Sequence, residues 1–219
     1  HLFNNFRFTP AVIALIIMNL IPLIGVFAFN WDAGTIVFLY WLENVVIGIL
    51  NVPKIMSCRQ DDRGDGKRIS FGGGLFLGMF FSVHYGMFCL GHFVFLEQAF
   101  KSMPSLPELL KQGPILISLA GLTLSHLISM LVNFYGKREY LTRAANTQMF
   151  LPYPRIVVLH IVIIIGGGVA AATGDGFAVL ILLVILKTLV DLAAHVTEHR
   201  LKDSLINPGV AAPIHQKDA

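Results

Sequence analysis

GTIVFLYWLENVVIGILNVPKIM, residues 34 to 56, is the stretch that decides the fold. It is long enough to cross a bilayer, for which about 20 apolar residues are needed. Its only charged residues are Glu43 near the centre and Lys54 near the end. In lipid the backbone must satisfy its own hydrogen bonds, so a run of this length and composition is a transmembrane helix. Asn44, Gly48 and Asn51 are spaced by four and three and fall on one face. That face belongs against protein, and the rest of the helix is free to meet lipid.

Five more runs of the same kind surround this one: Thr9–Phe29, Gly73–Phe100, Pro114–Tyr135, Tyr153–Thr173 and Gly176–Arg200. The chain is 55% hydrophobic and 13% charged, with mean hydropathy +0.71, against about 25% charged for soluble domains. The expected architecture is an all-α integral membrane protein, a bundle of six transmembrane helices. Residues 1–200 form a single domain and residues 201–219 a cytoplasmic tail. The first run is too long for a signal-peptide core, and Asn30-Trp31-Asp32 follows it where a small-residue cleavage site would stand. Gly74 and Gly78, Gly86 and Gly91, and Gly166-Gly167-Gly168 are expected to serve close helix packing.

Charge sets the orientation. With six spans, all 16 Lys and Arg except Lys101, Lys111 and Lys187 fall on one side, which makes that side and both termini cytoplasmic. A basic surface at anionic lipid headgroups accounts for the sequence pI near 9.0. Membrane lipids are therefore the expected partners, other membrane subunits are compatible, and nucleic acid is not expected. The localisation that follows is the cell membrane, as a multi-pass protein of a prokaryotic inner membrane. Cys58 and Cys89 fall in a loop and a span, without a CxxC pattern, so neither a disulfide nor a thiolate metal site is expected.

The last run carries the densest polar signal. Lys187, Asp191, His195 and His199 lie four residues apart and form a ladder on one helix face. An ionisable group at mid-membrane costs roughly 2.5–3.5 kcal/mol and is normally paired and functional. By depth, the middle and inner part of the bundle holds Glu43, Asn44, Asn51, His84, His126, His160, Lys187, Asp191 and His195, with His92 toward the outside and Arg155 at the cytoplasmic edge. Glu43 has no cation near it on its own span, where Lys54 is eleven residues away. It requires Lys187, a histidine or a metal from across the bundle, or else a proton.

Three chemistries use such groups. HxxxH at His195 and His199, with Asp191 one turn before and His84 from another helix, is a spacing used by Zn and Fe sites. Glu43 and Lys187 are then the catalytic candidates of an enzyme acting on a lipid or hydrophobic small molecule. The HxxxH loosely resembles that of the alkaline-ceramidase type of membrane zinc hydrolase, although those have seven spans and a Ser and His four apart on an early helix. Here Ser82 and His84 are two apart. The HxxHH boxes of membrane desaturases are missing. Alternatively, Glu43, His84, Lys187 and Asp191 serve a small proton-coupled transporter. Haem between His84 and His126 is not expected, because the paired histidine spacing of b-type cytochromes is missing. A non-catalytic subunit of a larger membrane complex is the third alternative, and the 17 phenylalanines suit it.

Two segments carry a family resemblance: Tyr40-Trp41-Leu42-Glu43-Asn44-Val45-Val46-Ile47-Gly48 with Asn51-Val52-Pro53-Lys54, and His84-Tyr85-Gly86-Met87-Phe88 with Gly91-His92. Together they resemble an uncharacterised prokaryotic family of polytopic membrane proteins, a domain of unknown function. The resemblance implies a membrane fold and marks Glu43, Asn44, His84, Tyr85 and His92 as motif positions. It implies no activity.

Overall fold

The computed structural model describes residues 33–60, 68–100, 105–109 and 111–168, with single positions at 172, 181, 182, 184–186, 188 and 189. Among these residues every regular element is a helix. Helix α1 is Ala33–Ser57, α2 is Phe71–Ala99, α3 is the short Leu106–Leu109 and α4 is Gly113–Ser129. Helix α5 is Ala145–Phe150 and α6 is Tyr153–Ile161. Helices α4 and α6 both continue into π-helical turns, at Met130–Gly136 and Val162–Gly166. Four helical segments among the described residues are long and apolar enough to cross a membrane: Gly34–Ser57, Phe71–Ala99, Gly113–Gly136 and Ala145–Gly166. They match the second to fifth expected spans. The first span, Thr9–Phe29, and most of the last, Gly176–Arg200, lie outside the described residues.

Helix α1 is the hub. It packs against α2, α4, α5 and α6, and its apolar window is 56% buried, against 11% for the span that contains α4. The face anticipated from Asn44, Gly48 and Asn51 points inward, with all three buried. Gly48 is needed there because a Cβ would sit 2.5 Å from the Tyr85 ring, far inside contact distance. Gly74 and Gly78 play the same part on α2, against the backbone and side chain of Met56. Small residues let helices meet closely where lipid supplies no hydrophobic drive. Gly86 and Gly91 depart from the packing expectation: a Cβ on either would meet nothing within 4 Å.

The core has three clusters along the bundle. One joins Ile36, Val37 and Phe38 of α1 to Leu96 of α2, Ile115 of α4 and Leu159 of α6. The second groups Ile55, Phe81, Tyr85, Met149 and Ile156. The third, around Cys58, Phe134 and Ala145, sits where two polar loops meet. There the Arg59 N–H donates to the Tyr140 carbonyl at 3.0 Å, and the Ala145 N–H to that of Gln60 at 3.3 Å. The α1–α2 and α4–α5 connections therefore share one end of the bundle, as alternating antiparallel spans require. Outward-facing Phe76, Met79, Val83 and Leu90 of α2, and Ile117, Leu124 and Val132 of the segment Gly113–Gly136, are exposed, as suits lipid contact. Cys58 and Cys89 are both free thiols and buried.

Candidate functional site

The polar centre is built on the middle turn of α1. Asn44 Nδ2 donates to the Tyr40 carbonyl at 2.8 Å, and the Tyr85 hydroxyl donates to the Asn44 carbonyl at 3.1 Å. These bonds fix the turn that carries Glu43. The Glu43 side chain is only 8% exposed. Its Oε1 accepts a hydrogen bond from Arg155 Nη1 at 3.2 Å and lies 3.4 Å from His126 Nε2. Arg155 belongs to α6 and His126 to α4, so one carboxylate joins three spans. The Tyr40 hydroxyl also reaches the Arg155 carbonyl, at 3.4 Å. In a low-dielectric interior such an ion pair is tolerated only when both charges are matched. His126 adds a group whose charge depends on a proton.

Three further polar contacts cross between helices. His84 Nδ1 is 2.7 Å from the Tyr153 hydroxyl, with the imidazole stacked on Phe80. His92 Nε2 is 2.9 Å from His160 Nδ1. Nearer the loop end, Asn51 and Gln148 exchange hydrogen bonds at 3.2 and 2.6 Å. Arg143 continues that chain, donating to Gln148 at 3.1 Å and to Glu139 at 2.9 Å. Trp41 packs between Phe38 and Phe93 and donates its indole N–H to the Cys89 carbonyl at 2.8 Å, which makes it a packing residue.

Of the residues singled out from sequence, Glu43 lies at the centre of this network, while His84 on α2 bonds to Tyr153 of α6. Lys187, Asp191, His195 and His199 lie outside the described residues. Among the described residues no three His, Cys, Asp or Glu side chains come together as a metal cluster. Two contacts were not anticipated, Glu43 to Arg155 and His92 to His160. Both have one cause. The fifth expected span starts at Tyr153, whereas the membrane-length segment starts at Ala145. Arg155 is thereby the eleventh residue of a described span instead of the third, and it meets Glu43 at 3.2 Å. The same shift carries His160 toward His92. The apolar stretch Ala144-Ala145 through Met149-Phe150 was the available signal, masked by Asn146, Thr147 and Gln148.

The profile of a family described as "Family of unknown function (DUF6498)" matches residues 1–205. The chain belongs to this family. No curated protein and no solved structure matches it. DUF6498 thus agrees with the resemblance carried by the Glu43 and His84 segments and brings no activity with it.

Proposed function

We propose that this DUF6498 protein is a small proton-coupled transporter of the cell membrane, with Glu43 as the carboxyl that exchanges the proton. The observation that carries the reading is the shared carboxylate: Arg155 at 3.2 Å and His126 at 3.4 Å reach Glu43 from two other helices. Proton transfer from His126 to Glu43 neutralises the carboxylate and releases Arg155, untying α6 from α1. Loss of the proton restores the tether. A charge switch that joins and frees spans is the element an alternating-access cycle needs. Lys187, Asp191, His195 and His199, four residues apart in the sequence, are the further proton-carrying candidates of this reading. In this account the protein is a six-helix bundle with both termini inside.

The test needs no substrate. Vesicles holding the protein are adsorbed on a solid-supported membrane, and a pH jump is applied while charge displacement is recorded. The wild type gives a transient current, and Glu43→Gln and His126→Phe lose it. An unchanged current in Glu43→Gln removes the reading. The competing reading is an enzyme holding Zn or Fe on His84, Asp191, His195 and His199. One equivalent of metal in untagged protein, lost in His195→Ala, would put that reading in place of transport.

A further inference from the structure

A second polar site lies apart from Glu43, on the flank of α2. A cavity of about 200 Å³ opens between α2 and α6, lined by Met87, Phe88, Gly91, His92, Phe95 and His160. Its wall is apolar except for the two imidazoles. His92 is 3% exposed, and its Nδ1 has no hydrogen-bond partner among the described residues. His160 is exposed on a helix that carries the outward Val157 and Ile164. A single proton bridges His92 Nε2 and His160 Nδ1, so one outer nitrogen of the pair is a donor and the other an acceptor. His92 Nδ1 is sealed within the protein, so His160 Nε2 is the outer nitrogen left for a ligand in the groove to meet.

We infer that this groove binds the ring of a lipid-soluble quinone or quinol, hydrogen-bonded through a ring oxygen to the His92–His160 pair. Three observations select that class. The volume fits one substituted six-membered ring, since a dry cavity of about 150 Å³ takes benzene. Among the described residues no Lys or Arg lines the groove, which disfavours a fatty-acid carboxylate or a phosphate. A carbonyl or phenolic oxygen suits either tautomer of the histidine pair, and Phe88, Phe95 and Met87 offer faces and edges to a flat ring. The tail of the ligand stays in the bilayer, reached through the open side of the groove at Gly91.

The experiment uses the full chain in phosphatidylcholine nanodiscs. A Trp31→Phe background leaves Trp41, whose indole bonds to Cys89 one turn from His92, as the only tryptophan. Decylubiquinone is titrated and Trp41 emission is read. The expected result is saturable quenching, weakened about tenfold or more by Gly91→Leu, which fills the groove. Gly86→Leu on the same helix leaves it unchanged, because neither glycine touches a neighbour within 4 Å. His160→Phe weakens binding by about threefold to tenfold, the worth of one hydrogen bond. Decylbenzene, which has no oxygen, competes correspondingly less well. Quenching that rises without saturation, or that Gly91→Leu and Gly86→Leu affect alike, overturns the site. Equal competition by decylbenzene overturns the role of the histidine pair.

Discussion

Replacing Arg155 by Met should destabilise the bundle more than replacing both Arg155 and Glu43. At 3.2 Å, a unit charge pair at an effective dielectric of 20 is attracted by about 5 kcal/mol. Desolvation of both groups offsets most of that, so the pair contributes little net stability over an apolar match. Removing one partner is different, because the other charge stays buried without its match, at a cost of about 3–5 kcal/mol. The Arg155 side chain is 28% exposed and His126 stands 3.4 Å from the carboxylate. Both facts favour the lower end, about 3 kcal/mol. Arg155→Met/Glu43→Gln should then lie within about 1 kcal/mol of wild type, and with each single variant costing about 3 kcal/mol the coupling energy is about 5 kcal/mol. Unfolding by SDS titration in mixed micelles, followed by circular dichroism, reads all four corners of the cycle. Equal costs for the single and double variants, or single variants near wild type, would refute the idea that this ion pair ties α1 to α6.

Three other outcomes follow from the packing and hydrogen bonding. Gly48→Ala places a methyl 2.5 Å from the Tyr85 ring and should lower unfolding stability by about 1–3 kcal/mol, whereas Gly86→Ala should change it by under about 0.5 kcal/mol. Asn51→Leu removes both hydrogen bonds to Gln148. It should cost about 1–2 kcal/mol in the same titration, and Gln148→Leu in that background should cost little more. Outside the spans, Ser105 donates from its hydroxyl and its N–H to the Glu108 carboxylate at 2.8 and 2.9 Å, holding that carboxyl below the usual range. The folded value lies below the unfolded one, so this cap is fully present above the ordinary carboxylate range and is lost as pH falls through the lowered value. Carboxyl-carbon NMR should show a titration midpoint for Glu108 below that range, returning upward in Ser105→Ala.

Residues 34–56 make plain why much of the fold could be read from sequence. Length and apolarity identify a span without tertiary information, and the spacing of Asn44, Gly48 and Asn51 identifies its buried face. Gly74 and Gly78 were legible for the same reason, since small residues four apart mark close contact. Gly86 and Gly91 share that composition but face open space, so spacing alone does not show which glycines have a neighbour. Span boundaries were the weak point. Asn146, Thr147 and Gln148 are polar, yet the membrane-length segment includes them because Gln148 bonds to Asn51 across the bundle and to nearby Arg143. Arg155 was read as a residue of the membrane edge, and His160 as a polar group of the inner half rather than as the partner of His92. Glu43, with no cation near it on its own helix, already implied a cross-bundle partner, but only the three-dimensional arrangement identifies Arg155 and His126.

The central claim is that Glu43 exchanges a proton, and its most direct test is infrared difference spectroscopy of the reconstituted protein between neutral and acidic pH. The account predicts a protonated-carboxyl C=O band that appears on acidification, shifts in heavy water, and is missing in Glu43→Gln while the amide bands stay the same. A difference spectrum identical in wild type and Glu43→Gln would contradict it, and would leave the Glu43–Arg155 pair as a structural tie between α1 and α6.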